Sequence, residues 1–101
     1  MKKLSEKNVE SYLRTKVRQM GGKAYKFVSP GNAGVPDRLV VIPGCEMFFV
    51  ELKATGGKTT ELQEARIAEL DKMGQTVFIA DSKESVDEIL AAAQRTRQDG
   101  I

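Results

Sequence analysis

Histidine is absent from the 101-residue sequence, and cysteine occurs only once, as Cys45. Without histidine there can be no Ser-His-Asp triad, no imidazole general base and no zinc site that needs imidazole. A lone cysteine cannot form an internal disulfide, and no histidine is present to activate its thiol. The remaining chemistry belongs to carboxylates, amides and lysines, and we expect a metal ion to work with them.

The sequence also lacks an apolar run long enough to span a membrane, and its Met-Lys-Lys-Leu start is not followed by an apolar signal segment. We therefore expect no membrane association, no secretion and a cytoplasmic location. The length suits one domain, residues 1–101, with a core at about 5–94 and a polar tail at 95–101.

Positive charge is concentrated in the first quarter of the chain. Residues 1–26 contain eight basic and two acidic residues, whereas the rest contains eight basic and twelve acidic ones. Such a segment suits a polyanion such as nucleic acid, although a solvated helix face explains the charge equally well. The candidate DNA contacts are Lys2, Lys3, Lys7, Arg14, Arg18, Asn32, Arg38 and Lys58.

Hydrophobic periodicity and turn residues predict the element order α-β-β-β-α-β-α. Helices are expected at about 5–20, 60–73 and from 82 to the tail, and strands at 23–28, 37–42, 46–53 and 75–80. The fold class is α/β, a mixed β-sheet flanked by helices. The apolar segment 77–79 is expected to be buried on both faces.

Two strands joined by a tight turn bring two carboxylates together. Regular pairing about Gly44 places Asp37 opposite Glu51, with Cβ atoms roughly 4.5–5.5 Å apart. Like charges at that spacing repel, or one carboxylate keeps its proton. A bound Mg²⁺ or Mn²⁺ removes the conflict, while two solvated carboxylates at a strand end are the simpler alternative.

Lys53 lies two residues after Glu51, so both side chains are expected on one face of the sheet. Leu52 then points into the core, which leaves its backbone carbonyl as a candidate metal ligand. Lys53 can orient water or steady negative charge on a phosphate. A salt bridge to either carboxylate is its structural alternative.

Two further polar residues allow two interpretations each. Glu10 borders the buried helix stripe, about 20° from Val17, so it could reach the metal directly or through water, or it could pair with Arg14 at i+4. Gln63 could point inward from its helix, or it could cap that helix with Thr60. From the residues alone, the cap is favoured for Gln63.

This arrangement resembles the PD-(D/E)XK nuclease superfamily, and more closely its VRR-NUC (virus-type replication-repair nuclease) family. The resemblance spans about residues 5–82 and rests on Glu10, Gly-Val-Pro-Asp at 34–37, Glu-Leu-Lys at 51–53 and Gln63. It implies a restriction-endonuclease-like core, Mg²⁺- or Mn²⁺-dependent phosphodiester hydrolysis and a site role for Gln63. It also implies a phage or prophage origin and a homodimer that acts on branched DNA, including four-way (Holliday) junctions.

The resulting hypothesis is a metal-dependent DNA endonuclease. Its metal ligands are Asp37, Glu51 and the Leu52 carbonyl, and Glu10 completes the carboxylate shell directly or through water. Lys53 positions or helps to deprotonate the nucleophilic water, and Gln63 orients Lys53 or the phosphate. Cutting two strands symmetrically calls for a twofold dimer. The alternatives are a nuclease for flap or linear DNA, or a non-catalytic nucleic-acid-binding module on the same scaffold.

Overall fold

Seven elements form along the chain in the predicted order. The structure, a computed structural model, describes residues 2–96, so Met1 and residues 97–101, most of the predicted polar tail, lie outside it. The elements are α1 (Glu6–Gln19), β1 (Lys23–Lys26), β2 (Arg38–Val41), β3 (Phe48–Leu52), α2 (Glu61–Lys72), β4 (Val77–Ala80) and α3 (Lys83–Gln94). The strands are shorter than expected, but each of the seven predicted elements is present.

The four strands form one sheet in the order β1-β2-β3-β4. The first three pair antiparallel, and β4 runs parallel to β3 because α2 carries the chain back across the sheet. The β2–β3 turn contains Gly44 at a φ of 78°, a conformation that favours glycine. The pairs Arg38–Val50 and Val40–Phe48 confirm the predicted register.

One face of the sheet, here called the closed face, is covered by α1 and α3. Strand alternation directs a set of apolar side chains toward these helices, and all are buried: Ala24, Val40, Phe48, Val50, Leu52 and Ala80. The predicted α1 stripe completes this core, with Val9, Leu13 and Val17 all fully buried. The hydrophobic core of the protein therefore lies on this side.

The opposite face, here called the open face, is covered only in part, by α2. Alternation directs Tyr25, Leu39, Phe49, Val77 and Ile79 to this side. None of these is buried, Ile79 is 48% exposed, and α2 itself has no buried residue. The expectation that 77–79 is buried on both faces is therefore wrong, because β4 is an edge strand under a loosely packed helix.

Helix ends follow the expected capping chemistry. The Ser5 hydroxyl accepts a hydrogen bond from the Asn8 amide, and α3 begins at a reciprocal capping box between Ser82 and Ser85. Among residues 2–96, no helix has the length and apolar character needed to cross a membrane.

Candidate active site

Two strand ends meet where the antiparallel hairpin opens. Asp37 directly precedes β2 and Glu51 is the next-to-last residue of β3, so the observed register, continued by one residue, opposes them. The Leu52 amide donates to Asp37 Oδ2 at 2.8 Å, and the Phe27 amide donates to the Asp37 carbonyl at 2.8 Å. Three strands therefore fix the aspartate in place.

Glu51 is a buried carboxylate on the open face, with its side chain only 2% exposed. Burial is the largest cause that raises the pKa of Glu51, from 4.5 to about 7, and the negative charge of Asp37 adds to it, while the neighbouring Lys53 lowers the pKa. The two carboxylates thus repel each other with only partial compensation by Lys53, and a cation between them would remove the repulsion.

Gln63 connects the lysine to the buried carboxylate. Lys53 Nζ donates to Gln63 Oε1 at 2.7 Å, and Gln63 Nε2 donates to Glu51 Oε2 at 2.7 Å. Lys53 Nζ also lies 3.4 Å from Glu51 Oε2, which confirms that both residues share a face. The predicted salt bridge of Lys53 to Glu51 is present, and the catalytic role of Lys53 stays a prediction.

The same glutamine caps α2. Its Oε1 accepts from the Thr60 amide at 2.9 Å, and the Gln63 amide donates to the Thr60 hydroxyl at 3.1 Å. The capping box and the inward-pointing side chain are therefore compatible, because Oε1 receives both the helix-start amide and Lys53. Sequence reasoning treated them as alternatives.

The glycine of the Gly-Val-Pro-Asp segment lets the loop approach α2 closely. Gly34 has a φ of 88°, and a Cβ there would lie 2.8 Å from Cγ of Leu62, in the first turn of α2. Arg66 secures the same approach, since its Nε donates to the Ala33 carbonyl at 2.9 Å. This positioning role of Arg66 was not predicted, and no local pattern in the sequence indicates it.

Glu10 lies apart from the two carboxylates. Its Oε1 is 3.1 Å from the Arg38 guanidinium, whose other nitrogen donates to the Ala24 carbonyl at 3.2 Å. Arg38 pairs with Val50 on the closed face, whereas Glu51 points to the open face. Within the described part of the chain, no three acidic, cysteine or histidine side chains form a metal-binding group. The proposed role of Glu10 at the metal therefore stays a prediction.

The donor set fits a hard divalent cation. Asp37 and Glu51 provide opposed carboxylates, and carboxylate oxygens are the ligands that such cations take. Leu52 is buried and follows Glu51 at the end of β3, so its carbonyl stays a predicted ligand.

The predicted DNA contacts fall into two groups. Seven are exposed and accessible to a polyanion: Lys2, Lys3, Lys7, Arg14, Arg18, Asn32 and Lys58. Arg38 differs, because its side chain is 11% exposed and paired with Glu10, an arrangement that favours a structural role.

Known proteins resemble this chain in sequence and in fold. A protein of Acyrthosiphon pisum secondary endosymbiont phage 1, described as "Putative nuclease p44", is 46% identical over 84 residues, which are 83% of this chain and 90% of that protein. A solved structure described as a VRR_NUC domain superimposes with a TM-score of 0.81 at 28% identity, covering 87% of this chain and 97% of that one. No family model matches the sequence.

The identity to the phage protein extends over most of both chains, and the solved domain has the same fold. The predicted element order and the predicted α/β fold class agree with that domain. The chain therefore belongs to the VRR-NUC family of nucleases.

Proposed function

We propose that the protein is a divalent-metal-dependent DNA endonuclease that uses Mg²⁺ or Mn²⁺. The observation that carries this proposal is the buried Glu51 carboxylate, opposed by Asp37 and hydrogen bonded to Gln63, with Lys53 beside it. A structural ion pair does not need a second carboxylate close enough to raise the pKa of the first. Family membership supports nuclease activity on grounds separate from the site geometry.

Each side chain of the site has a distinct role in phosphodiester hydrolysis. Asp37 and Glu51 would hold the metal ion, together with the Leu52 carbonyl, and the ion supplies charge neutralisation and a more acidic water. Lys53 directs its ammonium at the water or the phosphate, and Gln63 fixes the Lys53 rotamer through the 2.7 Å hydrogen bond. The water oxygen bonds to phosphorus as the water gives up one proton, one P–O ester bond breaks, and the leaving sugar oxygen takes up a proton, so that the reaction is balanced by one water molecule.

The substrate in this proposal is branched DNA, such as a four-way junction, and the acting species is a homodimer. Residues 2–96 contain one such site, and symmetric cutting of two strands requires two sites related by a twofold axis. The exposed apolar residues Tyr25 and Ile79 on the open face support a self-association surface. We place the protein in the cytoplasm of a bacterial host, as a phage or prophage product.

A cleavage panel tests the proposal. Linear duplex, flap, splayed-arm and four-way-junction DNA are incubated with the protein and Mg²⁺ or Mn²⁺, and each reaction is repeated with EDTA. Asp37→Asn keeps an acceptor for the Leu52 amide but removes the charge. Asp71→Asn removes the same charge from an exposed position near the end of α2 and serves as the matched control.

We expect cleavage by the parent protein and by the Asp71 variant, fastest on the junction, and none with EDTA or the Asp37 variant. Cleavage that survives EDTA and Asp37→Asn would place the reaction elsewhere. DNA binding without cleavage under any condition would favour the rival, a non-catalytic nucleic-acid-binding module. Light scattering of the same preparation measures whether the active species is a dimer.

A further inference from the structure

A basic pocket lies at the outer edge of β1, two strands away from β3, which contains Glu51. It has a volume of about 240 Å³ and is formed between α1 and the outer edge of β1, with a lining of Arg14, Arg18, Gly22, Lys23 and Ala24. No acidic residue lines it. The pocket shares no lining residue with the active site, so it needs an explanation of its own.

Its arginines carry charges that the described residues leave unpaired. Arg14 and Arg18 are four residues apart on α1, a spacing at which like charges destabilise a helix. The natural partner of Arg14 is Glu10, one turn earlier, but the Glu10 carboxylate binds Arg38 instead. No salt bridge among residues 2–96 includes Arg14 or Arg18. The fold thus tolerates two adjacent cations at the rim of one cavity.

The edge of β1 adds a backbone donor to these cations. The Phe27 amide bonds to the Asp37 carbonyl. Hydrogen-bonded and non-hydrogen-bonded pairs alternate along an antiparallel ladder, so the backbone N–H and C=O of Ala24, three residues before Phe27, point away from β2. The Ala24 carbonyl behaves accordingly, since it accepts from the Arg38 guanidinium. β1 is an edge strand, and the Ala24 amide therefore points to the side of the sheet where the pocket lies.

Guanidinium groups and a backbone amide converging on one cavity form a recognition site for a tetrahedral oxyanion. We propose that this pocket binds a backbone phosphate of the DNA substrate, away from the bond that is cut. The assignment rests on the proposed function for its ligand. The pocket would hold a part of the substrate outside the site that cuts it.

Binding measured without metal tests the pocket separately from cleavage. The affinity for a junction and for a duplex is measured in EDTA over a range of salt concentrations, for the parent protein and for the Arg14→Gln/Arg18→Gln double variant. Lys16→Gln is the control, because Lys16 is also on α1 but lies against the Tyr12 ring, 5.5 Å from its centroid. Thermal unfolding of each variant checks that the fold is retained.

We expect the double variant to lose about tenfold or more in affinity and to bind with a salt slope smaller by roughly 1.8, or 0.9 for each lost contact. Lys16→Gln should leave both quantities near the parent values. A lysine pair, Arg14→Lys/Arg18→Lys, should restore the slope but not the full affinity, because lysine lacks the guanidinium fork. Full restoration by lysine would show that only the general field matters and would overturn the pocket, as would an unchanged double variant.

Two further outcomes separate the proposals. Normal salt-dependent binding by a parent protein that never cleaves would remove the proposed nuclease activity and leave the phosphate pocket standing. Millimolar inorganic phosphate serves as the second probe: it should compete with DNA at the pocket. Stabilisation of the parent protein by phosphate, lost in the double variant while DNA affinity stays unchanged, would assign the pocket to free phosphate and refute the DNA assignment.

Discussion

The two faces of the sheet are built for different purposes. The closed face places α1 and α3 over a set of buried apolar side chains, with Leu13 and Val40 fully buried. The open face has a single helix with no buried residue, and on it lie Glu51, Lys53 and Gln63. Apolar burial is the main source of stability, so stability resides on one side and the proposed chemistry on the other.

Because of this division, we expect that stability and the proposed activity can be altered by separate substitutions. Substitutions on the closed face should change the free energy of unfolding and leave the rate of the folded protein intact. Substitutions on the open face should do the reverse. Glu51 affects both properties, because it is a buried charge within the sheet and a member of the proposed site.

The largest expected effect is on the open face, at Lys53. Replacement of Lys53 by methionine keeps the stem but removes the ammonium that Gln63 orients. We expect the cleavage rate to fall by roughly 10²–10⁴-fold, as for loss of a positioned proton-transfer or charge-stabilising group. Lys72→Met, which changes an exposed lysine in the last turn of α2, should leave kcat unchanged. Equal losses in both variants would contradict a special role for Lys53.

The largest effect on stability is expected at Leu13 on the closed face. Leu13→Ala leaves a cavity in a fully buried position and should lower the free energy of unfolding by about 2–5 kcal/mol. Ile79→Ala on the open face, where the side chain is 48% exposed, should cost less than about 1 kcal/mol. Urea unfolding measures both. A larger cost at Ile79 would mean that the open face is covered in solution, as a dimer would do.

An effect of intermediate size on cleavage is expected at Gln63, whose side chain connects α2 to the sheet. Gln63→Glu keeps an oxygen that can accept from the Thr60 amide and from Lys53, but it removes the donor to Glu51. We expect cleavage to fall by about 10–100-fold, as for loss of an orienting partner, with the helix cap retained. Thr60→Ala provides the opposite case, because it weakens the cap by about 1 kcal/mol and leaves the Gln63–Glu51 hydrogen bond. A loss of cleavage in Thr60→Ala but not in Gln63→Glu would contradict the orienting role of Gln63.

The smallest effect is the pH dependence of metal-free stability. The folded protein raises the pKa of Glu51 from 4.5 to about 7, so between these values the folded state binds more protons than the unfolded one. The favourable contribution is complete below about pH 4.5 and is lost as the pH rises through 7. In EDTA, the melting temperature of the parent protein should therefore fall from pH 5 to pH 8 relative to that of Glu51→Gln.

Magnesium should reverse this loss at the high end of the range. A divalent ion between the carboxylates replaces the proton, so Mg²⁺ at pH 8 should raise the melting temperature of the parent protein and not that of Glu51→Gln. If the melting temperatures of the parent protein and of Glu51→Gln changed equally with pH, Glu51 would ionise without loss of stability. That result would contradict the proposed metal site.

The hairpin register could be predicted because it depends on local features alone. A tight turn at Gly44 and strict side-chain alternation were sufficient to place Asp37 against Glu51 and Lys53 beside it. The α1 stripe and the helix caps are equally local. These elements come directly from the periodicity and from the turn residues.

Long-range partners could not be predicted in this way. Glu10 binds Arg38, twenty-eight residues away, rather than Arg14 on its own helix, because the sheet brings Arg38 under α1. The exposure of Ile79 depends on how tightly α2 packs, and the length and hydrophobicity of β4 contain no information on that. The dual role of Gln63 was missed because one oxygen accepts two donors.

That shared oxygen also bears on how such chains can diverge. The segment between Lys53 and Thr60 begins with a turn that contains Gly56, at a φ of 82°, and that is hydrogen bonded to Leu4 and Asp81. Insertions after this turn, at the exposed Lys58, should be tolerated, since loop length costs little free energy. The spacing from Thr60 to Gln63 cannot vary in this way, because it determines both the first turn of α2 and the position of the Lys53 ammonium. We expect functional relatives to vary the length of this segment while inheriting the capping box as a single unit.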